Sequence, residues 1–224
     1  MSNANINNEA IALIGGTGNL GPGLALRWAL AGYQVFIGSR TAEKAQGIAD
    51  ELNAEIGEPL ITGLENAAAV SKAELCVLTV NQSAHEPALK GLKDALQGKL
   101  LVDATARLSF PDLTPPPPPS SARIAQDILG SEVKVVAAFQ NVAATALRKN
   151  PTQPMESDAL VCADDLAAAE RVMALAAAAG MRAYFAGDLD KAIVVEGLTS
   201  LLVAMNKHYK AHAGTLKLSG FPDS

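Results

Sequence analysis

Residues 10–21 read AIALIGGTGNLG: an apolar run, a cluster of glycines, and a second apolar run starting at Leu20. The first part predicts a buried strand, and residues 20–31, with Leu20, Leu24, Ala25 and Trp28 at helical spacing, predict a helix. Between them, Gly16, Gly18 and Gly21 form GxGxxG. In a strand–turn–helix setting this pattern is the dinucleotide-binding fingerprint. Gly16 allows the tight turn, Gly18 lets the backbone approach a pyrophosphate, and Gly21 lets helix and strand pack closely. Free N–H groups at the positive end of the helix then receive the phosphates.

The next strand, YQVFIG over 33–38, selects the dinucleotide. A site for NAD carries Asp or Glu about 20 residues beyond the glycines, to bind the ribose 2′-hydroxyl. Here the strand runs into Gly38-Ser39-Arg40, and Lys44 follows one helical turn later. Ser39 and Arg40 are donors suited to a 2′-phosphate, and the missing carboxylate removes the repulsion. The residues therefore point to NADP(H). Thr41 is placed to cap a helix reaching about Asn53.

Further along, PLITG (59–63), ELCVLTV (74–80), KLLVDAT (99–105) and VKVVAAF (133–139) read as strands. Helices are predicted over 64–72, 84–96 and 120–130. The alternation predicts an α/β protein of Rossmann type, a doubly wound, mostly parallel sheet covered on both faces. ALVCA (159–163), a helix over 165–179 and RAYFA (182–186) form a later β-α-β unit, and a long helix covers about 189–210. We expect two parts: an NADP-binding domain over 1–145 and a small C-terminal α/β domain over 146–224 that closes the cofactor cleft. The run PDLTPPPPP (111–119) fits neither helix nor central strand, and its five prolines at 115–119 favour a stiff extended loop.

Composition narrows the function. Of 224 residues, 49% are hydrophobic, 18% charged and only 4% aromatic, which fits a folded α/β core and offers few stacking platforms for single-stranded nucleic acid. The formal net charge of −5 gives no drive towards nucleic acid or anionic membrane. No segment reaches the roughly 20 apolar residues of a membrane span. The N-terminal MSNANINNEA lacks the pattern of a secretory signal, so a cytoplasmic location is expected. Cys76 and Cys162 lie in apolar runs and read as buried free thiols. His208 and His212 have i, i+4 spacing but no third ligand nearby in sequence, and no metal is expected. Lys207, Lys210 and Lys217 form a solvated basic face that could attract an anionic cofactor tail. The stripe Ile193, Val194, Leu198, Leu201, Leu202, Met205 on the last helix faces the core or a second subunit, and a homodimer is expected.

GGTGNLG, GSR with Lys44 behind it, and the later LTV, VDAT and VVAAFQNV segments resemble the NADPH-dependent coenzyme F420 reductases, also called F420:NADP oxidoreductases. The likeness runs from about Ile11 to Phe221. It implies hydride exchange between nicotinamide and deazaflavin rings stacked face to face. It assigns Thr17, Gly18, Asn19 and Leu20 to the pyrophosphate, and Ser39, Arg40 and Lys44 to the 2′-phosphate. Thr79 and Val80 pass under the cofactor, and His85 matches a histidine in the following loop. Val142 and Ala144 lie against the nicotinamide, and Thr215 and Leu216 match a tail segment that touches the deazaflavin. Three positions depart from the pattern: Gln140 stands where some members have His, Asn81 where Pro is common, and Ala106-Arg107 where Val-Pro often follows VDAT.

No metal or nucleophile is needed for such a reaction. Walls and hydrogen bonds suffice, with His85 and Gln140 as the candidates for a catalytic part and Asn141 as a further donor. Other readings of the same residues are an NADPH-dependent reductase of FMN, FAD or a ferric chelate, an NADPH-sensing binding module, and a small imine or carbonyl reductase. The last would want a proton donor, and no Tyr-x-x-x-Lys pair is present.

Overall fold

The computed structural model describes residues 9–222. Eight strands form one sheet in the order β3-β2-β1-β4-β5-β6-β7-β8. β1 (Ala10–Ile14) lies at its centre, between β2 (Gln34–Ser39) and β4 (Leu75–Leu78). β3 (Ile61–Glu65) forms one edge, and β5 (Leu100–Asp103) and β6 (Lys134–Ala137) follow β4. All these pairings are parallel; the interior strands β4 and β5 are buried throughout and read as apolar runs, while the edge strand β3 leaves Thr62 and Glu65 exposed.

β1 shows how the core divides. Ile11 and Leu13 pack on one face with Leu24 and Trp28 of α1 (Gly21–Leu30) and Ala45 and Leu52 of α2 (Ala42–Ile56). Ala12 and Ile14 face the other side, with Val70 of α3 (Asn66–Val70), Leu89 of α4 (Gln82–Leu96) and Leu129 of α5 (Ser121–Leu129). This is the period-two alternation of a strand serving two helical layers.

The C-terminal residues continue the same sheet. After a short α6 (Ala144–Leu147), β7 (Asp158–Ala163) pairs antiparallel with β6, and β8 (Arg182–Gly187) pairs parallel with β7. α7 (Leu166–Ala178) joins the α1 face, where Trp28 Nε1 donates to Leu175 O at 2.9 Å. Because β7 is reversed, its first residues lie beside the carboxyl end of β6.

Several expected boundaries shift. The last helix begins as a 3-10 turn over Leu189–Lys191, continues as α8 (Ala192–Tyr209), and stops at Lys210, whose φ of 53° is left-handed. His212 thus lies beyond the helix, and the i, i+4 pair with His208 is not formed on one helical face. Thr41 occupies the cap position of α2 without making a side-chain cap bond. The expectation for MSNANINNEA falls mostly on residues 1–8, outside those described.

The proline run is held at defined points. Glu196 of α8, 1% exposed, accepts from Arg107 Nε at 2.7 Å and from the Ser121 N–H at 2.8 Å. The same Arg107 donates to the Pro117 and Pro119 carbonyls. A buried acid interrupting an apolar stripe is thereby fully paired.

Candidate cofactor site

The carboxyl edge of the sheet changes direction between β1 and β4, where open α/β sheets bind ligands. The glycine turn lies there. Gly15 has φ of 68°, its N–H donates to Asn66 Oδ1 at 3.0 Å, and a Cβ on it would stand 2.4 Å from Val80 Cγ1. A Cβ on Gly16 would meet Leu13 Cβ at 2.8 Å, and one on Gly21 would meet Gly16 O at 2.3 Å. Gly16 and Gly21 are therefore required by the protein itself. Gly18 differs: it is exposed, and a Cβ there would have its nearest neighbour, Thr79 O, at 3.7 Å. Space above Gly18 is the opening a pyrophosphate would need.

α1 begins at this turn with no side-chain cap and no acidic residue in its first turn, so its leading N–H groups are free for an anion. Thr17 and Leu20 are partly exposed and Asn19 is exposed around it. At the tip of β2, Ser39 is buried while Arg40 and Lys44 are exposed and make no ion pair among the described residues. β4 leads into Thr79, whose N–H and hydroxyl both donate to Ile14 O, and Val80, which touches the glycine turn. Asn81 caps α4 by accepting from the Ala84 N–H at 3.1 Å. A proline at that position could not supply this cap.

His85 departs from the loop position expected for it. It lies in the first turn of α4, 4% exposed, with Nε2 2.6 Å from Asp103 Oδ2. Asp103 ends β5 and is fully buried. Its Oδ1 accepts from the Thr105 N–H, and its main-chain oxygen accepts from Gln140 Nε2 at 3.0 Å. Asp103 therefore ties α4, β5 and the turn after β6 into one polar unit. The signal for it in the sequence is an acid closing the apolar run KLLVD, which the glycine fingerprint and the GSR segment do not point to.

The turn after β6 is strained. Phe139 has φ of 73°, rare for a bulky residue, and its ring packs edge-on to Trp28 at 5.9 Å. Beyond it, Asn141 Nδ2 donates to Val195 O and Thr199 Oγ1, both on α8, and Thr199 Oγ1 donates to Gln140 O. Gln140 Oε1, Asn141 Oδ1 and Thr105 Oγ1 are buried without a hydrogen-bond partner among the described residues. Buried acceptors left unpaired are costly, which marks this turn as a place where a donor from outside the chain would be stabilising. Val142 is buried and Ala144 half-buried next to them. Thr215 of the tail reaches this turn through a bond from its hydroxyl to Asn141 O at 3.2 Å, and Leu216 is partly buried beside it.

The structure thus brings the glycine turn, Thr79, Val80, His85, Gln140, Val142, Ala144 and Thr215 to one edge of the sheet. The basic patch is less uniform, because Lys217 pairs with Glu156 while Lys207 and Lys210 are exposed. Among the described residues no group of three His, Cys, Asp or Glu could hold a metal ion, and no helix is long and apolar enough to cross a membrane. Burial pushes the Cys76 thiol up to about 12 and the Cys162 thiol up to about 11, which keeps both protonated and unreactive at neutral pH.

This fold and edge define an NADP-dependent oxidoreductase of Rossmann type. The family described as NADP oxidoreductase, coenzyme F420-dependent, matches residues 10–107. The chain is 36% identical to the F420-dependent NADP reductase of Methanothermobacter marburgensis, over 95% of this chain and 99% of the relative. It is 37% identical to the F420-dependent NADP reductase of Methanocaldococcus jannaschii, over 93% and 97%. A crystal structure from Arthrobacter superposes with a TM-score of 0.78 at 24% identity, over 94% of this chain and 99% of that one, and shares the fold. The chain belongs to the family of F420-dependent NADP reductases.

Proposed function

We propose that this protein exchanges a hydride between NADP(H) and the deazaflavin coenzyme F420, holding both along the carboxyl edge of its sheet. The observation that carries the reading is the uncapped amino end of α1 beneath an open Gly18, with Ser39 and Arg40 at the neighbouring strand tip. Thr17, Gly18, Asn19 and Leu20 receive the pyrophosphate. Ser39, Arg40 and Lys44 receive the 2′-phosphate. Val80, Val142 and Ala144 wall the nicotinamide, and Thr79 supports the ribose beneath it.

On the acceptor side, Gln140 Oε1 and Asn141 Oδ1 offer two buried acceptors to ring or amide N–H groups. Asp103 and Thr199 fix their carboxamides, so the acceptors are aimed before the ligand arrives. When bound, the two cofactors supply the hydride donor and acceptor. The protein's share is orientation and exclusion of water. His85 is the imidazole of this edge, and Asp103 Oδ2, 2.6 Å from its Nε2, fixes the orientation of its ring. Residues 146–224 close the cleft from the far side of β6.

The partly exposed face of α8, with Val194, Leu201, Met205 and Tyr209, supports a homodimer formed through that helix. The buried free thiols fit a reducing, cytoplasmic setting.

Arg40→Ala tests the NADP assignment. Losing one charge-assisted phosphate contact costs about 1.5–3 kcal/mol, or roughly ten- to hundredfold in kcat/KM with NADPH. Any activity with NADH should not change. An equal loss with both cofactors would remove Arg40 from the 2′-phosphate site.

A further inference from the structure

Residues 210–222 have no regular secondary structure, yet residues 214–218 are bound along their length. Gly214 N–H donates to Asn206 Oδ1 at 2.9 Å, at the end of α8. Ser157 Oγ and Thr215 Oγ1 are 2.6 Å apart, and Thr215 in turn donates to Asn141 O. Asp158 carries the rest. Its N–H donates to Leu216 O at 2.9 Å, and its carboxylate accepts the Leu218 N–H at 2.6 Å. That carboxylate, 2% exposed, also accepts Arg182 Nε at 3.0 Å and Nη2 at 2.8 Å, and Arg182 Nη2 reaches the Leu218 carbonyl at 2.7 Å.

The fold explains why these groups meet. β7 is antiparallel to β6, so Ser157 and Asp158 stand beside the turn carrying Gln140 and Asn141. β8 is parallel to β7, with Arg182 opposite Asp158. A tail with no core of its own is thus tied to the acceptor end of the sheet by one buried carboxylate.

We propose that Asp158 is a positioning residue for the hydride acceptor: with Arg182 it latches residues 215–218 so that Thr215 and Leu216 are presented to the F420 ring. The inference rests on the reading above, in which Gln140 and Asn141 face the acceptor, because the Thr215 bond to Asn141 O sets the tail against that turn. Burial opposes the charge on Asp158, but Arg182 and the Leu218 N–H more than offset it and hold the carboxyl below its ordinary value. A lowered pKa means that the latch is fully formed above about pH 3.9 and is lost as pH falls through the lower folded value. At neutral pH it is closed.

Two readouts on the full-length protein test this. Trypsin cleavage after Lys217 reports tail release, because that residue lies between the two backbone positions bound to Asp158. Steady-state kinetics with F420 report presentation, and NADPH binding is measured separately. Asp158→Asn is expected to speed cleavage after Lys217 by about tenfold and to raise the F420 KM by about tenfold, with the NADPH Kd unchanged. Leu216→Ala should raise the F420 KM without speeding cleavage. If Leu216→Ala raises the KM while Asp158→Asn leaves either cleavage or KM at the wild-type value, the latch is overturned and the tail contact stands. If Leu216→Ala leaves the KM unchanged, the tail does not meet the acceptor, and the presentation role fails with that contact. Should Asp158→Asn not fold, Ser157→Ala, which removes only the Thr215 bond, is expected to raise the F420 KM in the same direction. No rise there overturns the proposal.

Discussion

Arg27→Ala is expected to lower stability by about 3–5 kcal/mol, although this residue is far from any ligand. Arg27 lies within α1, 3% exposed, and donates only to backbone carbonyls. Nε reaches Leu147 O at 2.7 Å, Nη1 reaches Gln153 O and Ala179 O at 3.0 Å, and Nη2 reaches Lys149 O and Asn150 O at 3.3 Å. Among the described residues no carboxylate pairs with it; burial lowers its pKa, and the five oxygens hold the charge. Truncation would leave several of them buried and unpaired. The same bonds fix α1 to the segment joining α6 and β7. In a protein of this size the loss corresponds to a melting point lower by roughly 10 °C. A shift of under about 2 °C would mean that water replaces the guanidinium without penalty.

A second large effect separates two glycines of the fingerprint. Gly21→Ala places a Cβ 2.3 Å from Gly16 O and 2.6 Å from Gly16 Cα, with backbone on both sides. No side chain can yield, so helix and turn must part. The overpacking cost of about 1–3 kcal/mol should lower the melting point and weaken NADPH binding roughly ten- to hundredfold. Gly18→Ala meets nothing closer than 3.7 Å and should leave the melting point unchanged while still weakening NADPH, because the added methyl occupies the ligand's space. Calorimetry and an NADPH fluorescence titration on both variants distinguish the two roles. If both glycines behave alike, Gly18 is not the point of pyrophosphate approach.

Much of this was legible in sequence because buried parallel strands are apolar runs and the glycine turn has one physical use between strand and helix. The reversal of β7 was not. DALVCA is as apolar as the parallel strands, and its direction is set by the path through α6 and residues 148–157 rather than by its own residues. Nothing local to Arg27 signals the five distant carbonyls it binds. Asp103 and His85 are 18 residues apart and meet only because β5 lies next to β4, the strand that leads into α4. Arg107, noted only as a departure from the family's pattern, proves to hold the proline run and Glu196 together.

The measurement that bears most directly on the central claim is an anaerobic absorbance assay of the purified protein with F420 and NADPH, with NADH, FMN and FAD in parallel. The account predicts rapid loss of the deazaflavin's visible band with NADPH, slow loss with NADH, and little bleaching of either flavin. Bleaching of FMN or FAD with F420 untouched would contradict it and make the protein an NADPH-dependent flavin reductase. Tight NADPH binding with no turnover on any acceptor would contradict it in favour of a cofactor-sensing module.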